Sequence, residues 1–440
     1  MYTTVRERLP GAGEPAAGSR ARVARTVVLL GLTSMFTDVS SEMVSAVLPV
    51  YLTLMVGLTP LQFGLVDGLY QGVTALVRLG GGVVADRWRR YKEVAGVGYA
   101  LSAACKLGLL AAGSAYGLIT AVIAADRTGK GVRTAPRDAL ISFASSGGDL
   151  GRAFGVHRAM DTAGALAGPL AAFGLLALVR RGGPDLRGGF DVVFMASFCV
   201  AVVGLAVLLL FVHNPDHGLQ RDPEPARAAR PSVRAGLRAL AAGRVRPLVA
   251  AGVLLSLVTA SDSFVYLTLQ RRVELDAGWF PLLFVGTAVV YLGLAVPLGR
   301  LADRVGRYRV FVGGHVLLVV MYAVMLLPAP GVAGLLACLG LLGAWYAATD
   351  GVLAALASAV LPPELRTSGL ALVATAVAGG NLGASLLFGT LWSLFGPVWA
   401  VTAFLLGLAA CLPVAATILA RAERDGEPDG EPGEALEALP

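Results

Sequence analysis

The chain has 440 residues, 56% hydrophobic and 15% charged, with a mean hydropathy of +0.71. That balance excludes an ordinary water-soluble enzyme and supplies apolar residues for about a dozen bilayer-crossing helices of roughly 20 residues each. The 36 Lys and Arg against 29 Asp and Glu fit either nucleic-acid binding or the basic loops of a membrane protein, and their positions decide between the two.

The first 25 residues, rich in Arg, Gly, Ala and Pro, read as a disordered cytoplasmic tail (1–25). No short apolar region with a small-residue cleavage site follows, so no cleaved signal peptide is predicted. Apolar segments then recur at about 26–57, 61–86, 93–113, 115–136, 153–179 and 190–213, predicting a first bundle of six helices over 26–213. A Pro- and Arg-containing stretch, 214–246, reads as a cytoplasmic linker. Six more segments, at about 247–270, 278–302, 308–328, 331–361, 364–394 and 397–420, predict a second bundle over 247–421, followed by an acidic tail, 422–440, read as disordered. The predicted fold class is an all-α membrane protein with 12 transmembrane helices in two six-helix bundles.

Placing the N-terminus inside puts 27 of the 36 basic residues on cytoplasmic segments, and outside loops then hold five: Arg180, Arg181, Arg187, Arg271 and Arg272. Both termini are therefore expected in the cytoplasm, in a multi-pass protein of the inner (plasma) membrane, and nucleic acid is not expected as a partner. Arg78, Lys106, Arg127 and Arg158 are counted within spans.

The halves echo each other. Gly82-Val-Val-Ala-Asp86-Arg87-Trp88-Arg89-Arg90-Tyr91 after the second predicted helix matches Gly299-Arg-Leu-Ala-Asp303-Arg304-Val305-Gly306-Arg307-Tyr308 after the eighth, and Gly151-Arg152-Ala-Phe-Gly155 has a weaker counterpart in Leu365-Arg366-Thr-Ser-Gly369. Two matches at similar offsets argue for a duplicated unit.

On these motifs the chain resembles the major facilitator superfamily of secondary transporters, in particular its proton-coupled drug and metabolite antiporters. The loop signature of that family is matched in both halves, except that Tyr91 and Tyr308 replace its last arginine and Arg89 its second glycine. The resemblance implies two bundles that rock about a shared substrate site. It also implies a charged gate loop of Gly82, Asp86, Arg87 and Arg90, with Gly299, Asp303, Arg304 and Arg307 in the second half. Arg127 followed by Gly131 is similar to an element linked to proton coupling, with Lys130 in place of the usual polar neighbour. Gly164-Ala-Leu-Ala-Gly168-Pro169 resembles the antiporter motif of proton-driven exporters, without its trailing glycine pair; it also reads as a small-residue packing face with a kink. The segment around Phe36, Asp38, Ser41 and Glu42, with Arg133, Arg137 and Asp138, resembles a branch of bacterial facilitators.

An ionisable side chain within a span costs about 2.5–3.5 kcal/mol unless paired or hydrated, so each marks a cavity or an ion pair. By helical rise, Asp38 falls roughly 18 Å into the first predicted helix, with Glu42 one turn on and on the same face. Asp126 and Arg127 reach the middle of the fourth, pointing about 100° apart and so needing different partners. Two readings stand. Asp38, Glu42 or Asp126 takes up a proton, with Arg127 stabilising the charged form, or the charges form a permanent ion pair locking the first helix to the fourth. Arg158 and Asp161, three apart, are placed to touch each other or substrate, and His157 reads as a packing residue. Asp67 and Gln71 share a face with Arg78 deeper on the same helix. Asp262, Phe264, Tyr266, Trp345, Tyr346, Asp350 and Asn381 are the cavity candidates of the second half.

The four cysteines, Cys105, Cys199, Cys338 and Cys411, lie in apolar runs without metal-binding spacing. No HExxH, CxxC, G-x-S-x-G or P-loop pattern occurs, which disfavours an integral-membrane enzyme and leaves no cofactor and no metal to expect. The expected function is secondary transport of a small organic solute by a monomer in the lipid bilayer, through proton antiport. Proton-coupled uptake of a nutrient or metal chelate is the alternative.

Overall fold

The computed structural model describes residues 24–88, 90–145, 149–183, 186–214, 245–328, 331–361 and 366–424. Most of both predicted tails and of the linker therefore lies outside the described residues. Within them the chain is helical, as a backbone that must satisfy every amide internally requires. In the first half, α1 (Arg25–Val50) runs on into a π-helical turn (Tyr51–Met55). It is followed by α2 (Pro60–Trp88), α3 (Tyr91–Ala112), α4 (Tyr116–Phe143), α5 (Leu150–Arg181) and α6 (Leu186–Phe211). In the second half stand α7 (Arg246–Leu257), α8 (Asp262–Val273), α9 (Pro281–Val305), α10 (Arg307–Leu326), α11 (Gly331–Thr349), α12 (Val352–Val360), α13 (Arg366–Phe395) and α14 (Pro397–Arg424).

Two segments expected as single helices are interrupted. Between α7 and α8 the chain unwinds over residues 258–261, where Ser261 caps α8 by accepting from the Phe264 amide. The freed Ala260 amide donates to Tyr322 Oη at 2.8 Å, so the break is satisfied from α10 rather than left bare. Between α11 and α12 the chain turns at Asp350 and Gly351, whose φ of +74° suits glycine. Each pair still forms one continuous stretch, Arg246–Val273 and Gly331–Ser358, and on that count ten stretches among the described residues are long and apolar enough to cross a membrane. The 29-residue α2 and 28-residue α4 are as long but more polar along their lengths.

In the first half the start of α1 and the ends of α4 and α6 cluster at one end, here the terminal face; the end of α1 meets the start of α6 at the other, where the end of α5 also reaches the α8–α9 connection. The largest buried cluster contains Tyr51, Phe63, Phe190 and Phe194 of the first half with Phe264, Phe388, Trp392 and Phe404 of the second. Phe63 and Phe264 meet edge to face across the seam, 5.0 Å between centroids. Toward the terminal face the first half has a cluster of its own, including Val27, Leu30, Tyr91, Tyr99, Leu140 and Leu208, with no residue of the second half in it. Apolar packing thus joins the halves away from the termini and separates them near the termini.

Of the four cysteines, all free, Cys105 and Cys338 are buried while Cys199 is exposed. Cys105 and Cys338 therefore act as packing residues.

Candidate functional site

Between the halves lies a cavity of about 380 Å³. Glu42 and Ser45 reach it from α1, Asp67, Tyr70 and Gln71 from α2, Arg127 and Lys130 from α4, Asp262 and Ser263 from α8, Phe284 from α9 and Tyr346 from α11.

Charges on the α4 wall are organised around Asp126. Lys106 of α3 donates to it at 2.6 Å and Ser102 at 3.0 Å. Arg127 donates through Nε at 3.0 Å and through Nη2 to the same oxygen. The arginine folds back along its own helix, so the two neighbours pair with each other instead of needing separate partners. Its guanidinium also lies 3.9 Å from the ring centre of Tyr70, a cation–π contact strengthened where water is sparse, and the Tyr70 hydroxyl bonds Ser45. The ion pair fastens α4 to α3 rather than to α1. Glu42 and Lys130 line the same cavity and have no hydrogen-bonding or ion-pair partner for their side chains among the described residues.

The opposite wall is acidic. Asp67 accepts from Ser385 of α13 at 2.7 Å, a bond that crosses between the halves. Asp262, held at the first position of α8 where the helix dipole favours an acid, accepts from the Tyr346 hydroxyl at 2.7 and 2.8 Å.

Nearer the terminal face a second network joins α1, α4 and α5. Asp38 stands 3.9 Å from Arg133, whose guanidinium lies over Tyr99. Arg137 bonds Asp138 at 2.9 Å and approaches Asp161 at 3.8 Å, and Asp161 is 3.4 Å from His157. Ser34 bridges His157 and Arg137 at 3.0 and 3.2 Å. The expected Arg158–Asp161 contact is replaced by one between the halves, Arg158 to Asp350 at 3.8 Å, with Arg158 80% and Asp350 51% exposed. Tyr291 donates to Asp350 at 2.8 Å.

Other predicted positions fall as follows. Phe36 packs toward Gly204 of α6 and Tyr266 is buried with its hydroxyl on Thr287, so neither lines the cavity. Trp345 lies tilted against Tyr346, 4.5 Å between ring centroids, and its buried indole nitrogen has no hydrogen-bond partner among the described residues. Asn381 sits half-buried on α13. Gly164 and Gly168 form the close face of α5 against α1: a Cβ on Gly164 would lie 2.6 Å from the Met35 carbonyl, and one on Gly168 2.7 Å from Glu42 Cβ. Pro169 is buried within the same helix. Gly82, Asp86 and Arg87 belong to α2 by backbone, and their side chains, like that of Arg78, lie outside what is described. Arg90 is exposed at the start of α3; in the second half Gly299 and Arg304 are exposed and Asp303 stands 3.7 Å from Arg307.

Lys130 and Arg133, counted by sequence with the cytoplasmic loop although they fall within the predicted segment 115–136, lie inside α4, which runs on to Phe143. The charges at 126, 127, 130, 133 and 137 recur at helical spacing, a signal that could have kept the helix going. Among the described residues no group of His, Cys, Asp and Glu is placed to hold a metal ion.

Two helical halves around a charged cavity at their seam are the architecture of a membrane carrier. Residues 30–281 and 274–439 match the family described as Major Facilitator Superfamily, and the chain belongs to that family. An uncharacterized MFS-type transporter of Methanocaldococcus jannaschii is 31% identical over 404 residues, covering 87% of this chain and 94% of that protein. An uncharacterized Mycobacterium tuberculosis protein is 35% identical over 154 residues, 35% of this chain and 37% of that protein. Among solved structures, the nucleoside transporter NupG superposes with a TM-score of 0.73 at 13% identity, covering 91% of this chain and 99% of that one. The peptide transporter POT in complex with sulfate gives 0.70 at 14%, covering 92% and 95%. At these identities the likeness concerns the fold.

Proposed function

We propose that the chain is a secondary active carrier that moves a small organic solute by alternating access in exchange for protons, in the direction of efflux. It works as a monomer with twelve spans, α2 and α4 included, in the plasma membrane with both termini in the cytoplasm. In that orientation, packing between the halves away from the termini makes this an inward-facing arrangement. The nucleosides and peptides named for the solved neighbours are organic solutes, which agrees with a cavity walled by aromatic rings and a few charges.

The observation that carries the proton role is the contrast between Glu42 and Asp126. Asp126 is held by Lys106, Arg127 and Ser102; Glu42 reaches the cavity with no such partner and feels Lys130 and Arg127 from α4. A carboxylate whose surroundings change as the halves move changes its proton affinity with them, and that couples protonation to conformation. Glu42 is the carrier of choice; Asp38, which has Arg133 at 3.9 Å, is the second.

The test is proton flux into proteoliposomes of the purified full chain containing a trapped pH dye, with cationic, neutral and anionic solutes supplied inside. Glu42→Gln should abolish solute-driven proton entry while leaving solute binding measurable. Full flux in the Glu42→Gln, Asp38→Asn and Asp126→Asn variants would overturn the coupling. Proton entry driven by solute outside rather than inside would assign the uptake reading instead.

A further inference from the structure

The cavity's cations, Arg127 and Lys130, stand on α4 of the first half, and Asp262 of the second half reaches the same cavity from α8; the remaining acids, Glu42 and Asp67, belong to the first half. Lys130, on α4 of the first half, is a half-buried ammonium in the cavity wall with no ion-pair partner among the described residues. Its neighbour Arg127 is already paired with Asp126, so Lys130 is the free cation of that wall. Across the cavity, Asp262 of the second half stands at the head of α8, where the neutral Tyr346 hydroxyl donates to it and no cation among the described residues pairs with it. Neither the Tyr346 hydroxyl on Asp262 nor the Ser385 hydroxyl on Asp67 cancels a charge. Charges left unpaired on half-buried side chains are costly unless a ligand of opposite sign completes them. The body of the cavity between the two poles is faced by the rings of Tyr70 and Phe284.

From this geometry we infer that the solute is a zwitterion with an apolar or aromatic body. Its anionic group pairs with Lys130 and its cationic group with Asp262, so that the solute bridges the halves. The inference rests on the carrier reading above and adds the chemical class of the cargo. A bridging solute also gives transport its selectivity: one lacking either charge leaves a wall unneutralised and cannot draw the halves together. Glu42, beside Lys130, remains available to the proton.

The experiment is equilibrium binding to the purified full chain in nanodiscs, using three aromatic zwitterions of increasing charge separation: phenylalanine, 4-(aminomethyl)benzoic acid and glycyl-phenylalanine. Each is compared with its methyl ester, which keeps only the cation, and its N-acetyl form, which keeps only the anion. At least one zwitterion should bind tenfold or more tightly than both of its singly charged partners. For that zwitterion, Lys130→Ala should erase the advantage over the ester, and Asp262→Asn the advantage over the N-acetyl form. Thermal unfolding of each variant checks that it is folded, and Lys130→Arg should restore the preference if charge is what matters. An ester or N-acetyl form binding as well as its zwitterion throughout the series, or no binding by any member, would overturn the inference. Proton flux is read separately on the same preparations. Solute-driven flux with singly charged compounds preferred would leave the antiport reading standing and remove the zwitterion. Zwitterion preference without proton flux would do the reverse.

Discussion

Asp67 of α2 accepts a 2.7 Å hydrogen bond from Ser385 of α13, 318 positions later in the chain, and both are buried where the two halves meet. The Leu61 amide, two turns earlier on α2, donates to Ser393 Oγ of the same partner helix at 3.0 Å. Ser385→Ala leaves the Asp67 carboxylate without that donor, a loss of about 1–3 kcal/mol for a buried polar group, borne only by the arrangement in which α2 and α13 touch. The expected result is a several-fold shift toward the alternate arrangement. It is read as faster labelling of a cysteine at Gln71→Cys, in a background without native cysteines, by a reagent added on the side away from the termini.

Asp126 is surrounded by cations, and Asp126→Asn strands Lys106 and Arg127 in a buried site. Removing one member of a buried ionic group costs about 3–5 kcal/mol, so this variant should lose much of its folded yield and melt well below the parent. Lys106→Met keeps the Arg127–Asp126 pair and should cost less. Unfolding monitored by tryptophan fluorescence checks both, and an Asp126→Asn protein as stable as the parent would show that the cluster does not hold α3 to α4.

Gly168 provides a cleaner probe of packing. A methyl group there would sit 2.7 Å from Glu42 Cβ and 2.8 Å from the Val39 carbonyl, whereas a methyl on Gly174 of the same helix meets nothing within 4 Å. Gly168→Ala should therefore destabilise by about 1–3 kcal/mol through overpacking, and should also slow any transport that depends on Glu42. Gly174→Ala should be neutral or slightly stabilising, as alanine is the better helix former. Equal effects of the two substitutions on melting temperature would contradict the close α1–α5 contact.

Arg180 at the end of α5 bonds Asp276 in the α8–α9 connection, and Phe173 lies against Trp279 just below, 5.3 Å between centroids. Both charged side chains are close to half exposed, so the ion pair itself is worth under about 1 kcal/mol. Arg180→Asp, which sets two acids against each other, should speed cysteine labelling from that side, and Asp276→Arg added to it should restore the parent rate. High salt should shrink both effects.

Much of the architecture was open to sequence reading because a bilayer admits few solutions: long apolar runs, basic loops and a repeated motif leave little but paired helical bundles. What escaped were features set by single residues or by distance. The break before α8 is announced by Ser261-Asp262, a cap followed by an acid, and the one before α12 by Gly351, yet both lie inside runs apolar enough to pass for unbroken helices. Lys130 was hidden by being counted with the basic loop, although it fell within the predicted segment 115–136. The Asp67–Ser385 bond has no local trace at all, since nothing near either residue names the other. Arg127 turning onto Asp126 is a side-chain choice that helical spacing does not fix.

The interrupted spans both belong to the second half, while Lys106, Asp126, Arg127, Lys130 and Arg133 all belong to the first. The two halves therefore divide the labour, the first carrying most of the buried charge and the second the joints. A protein assembled from two first halves would hold charge with few places to bend, and one from two second halves would bend but offer the cavity acids such as Asp262 without the cations of α4. Neither half can stand in for the other.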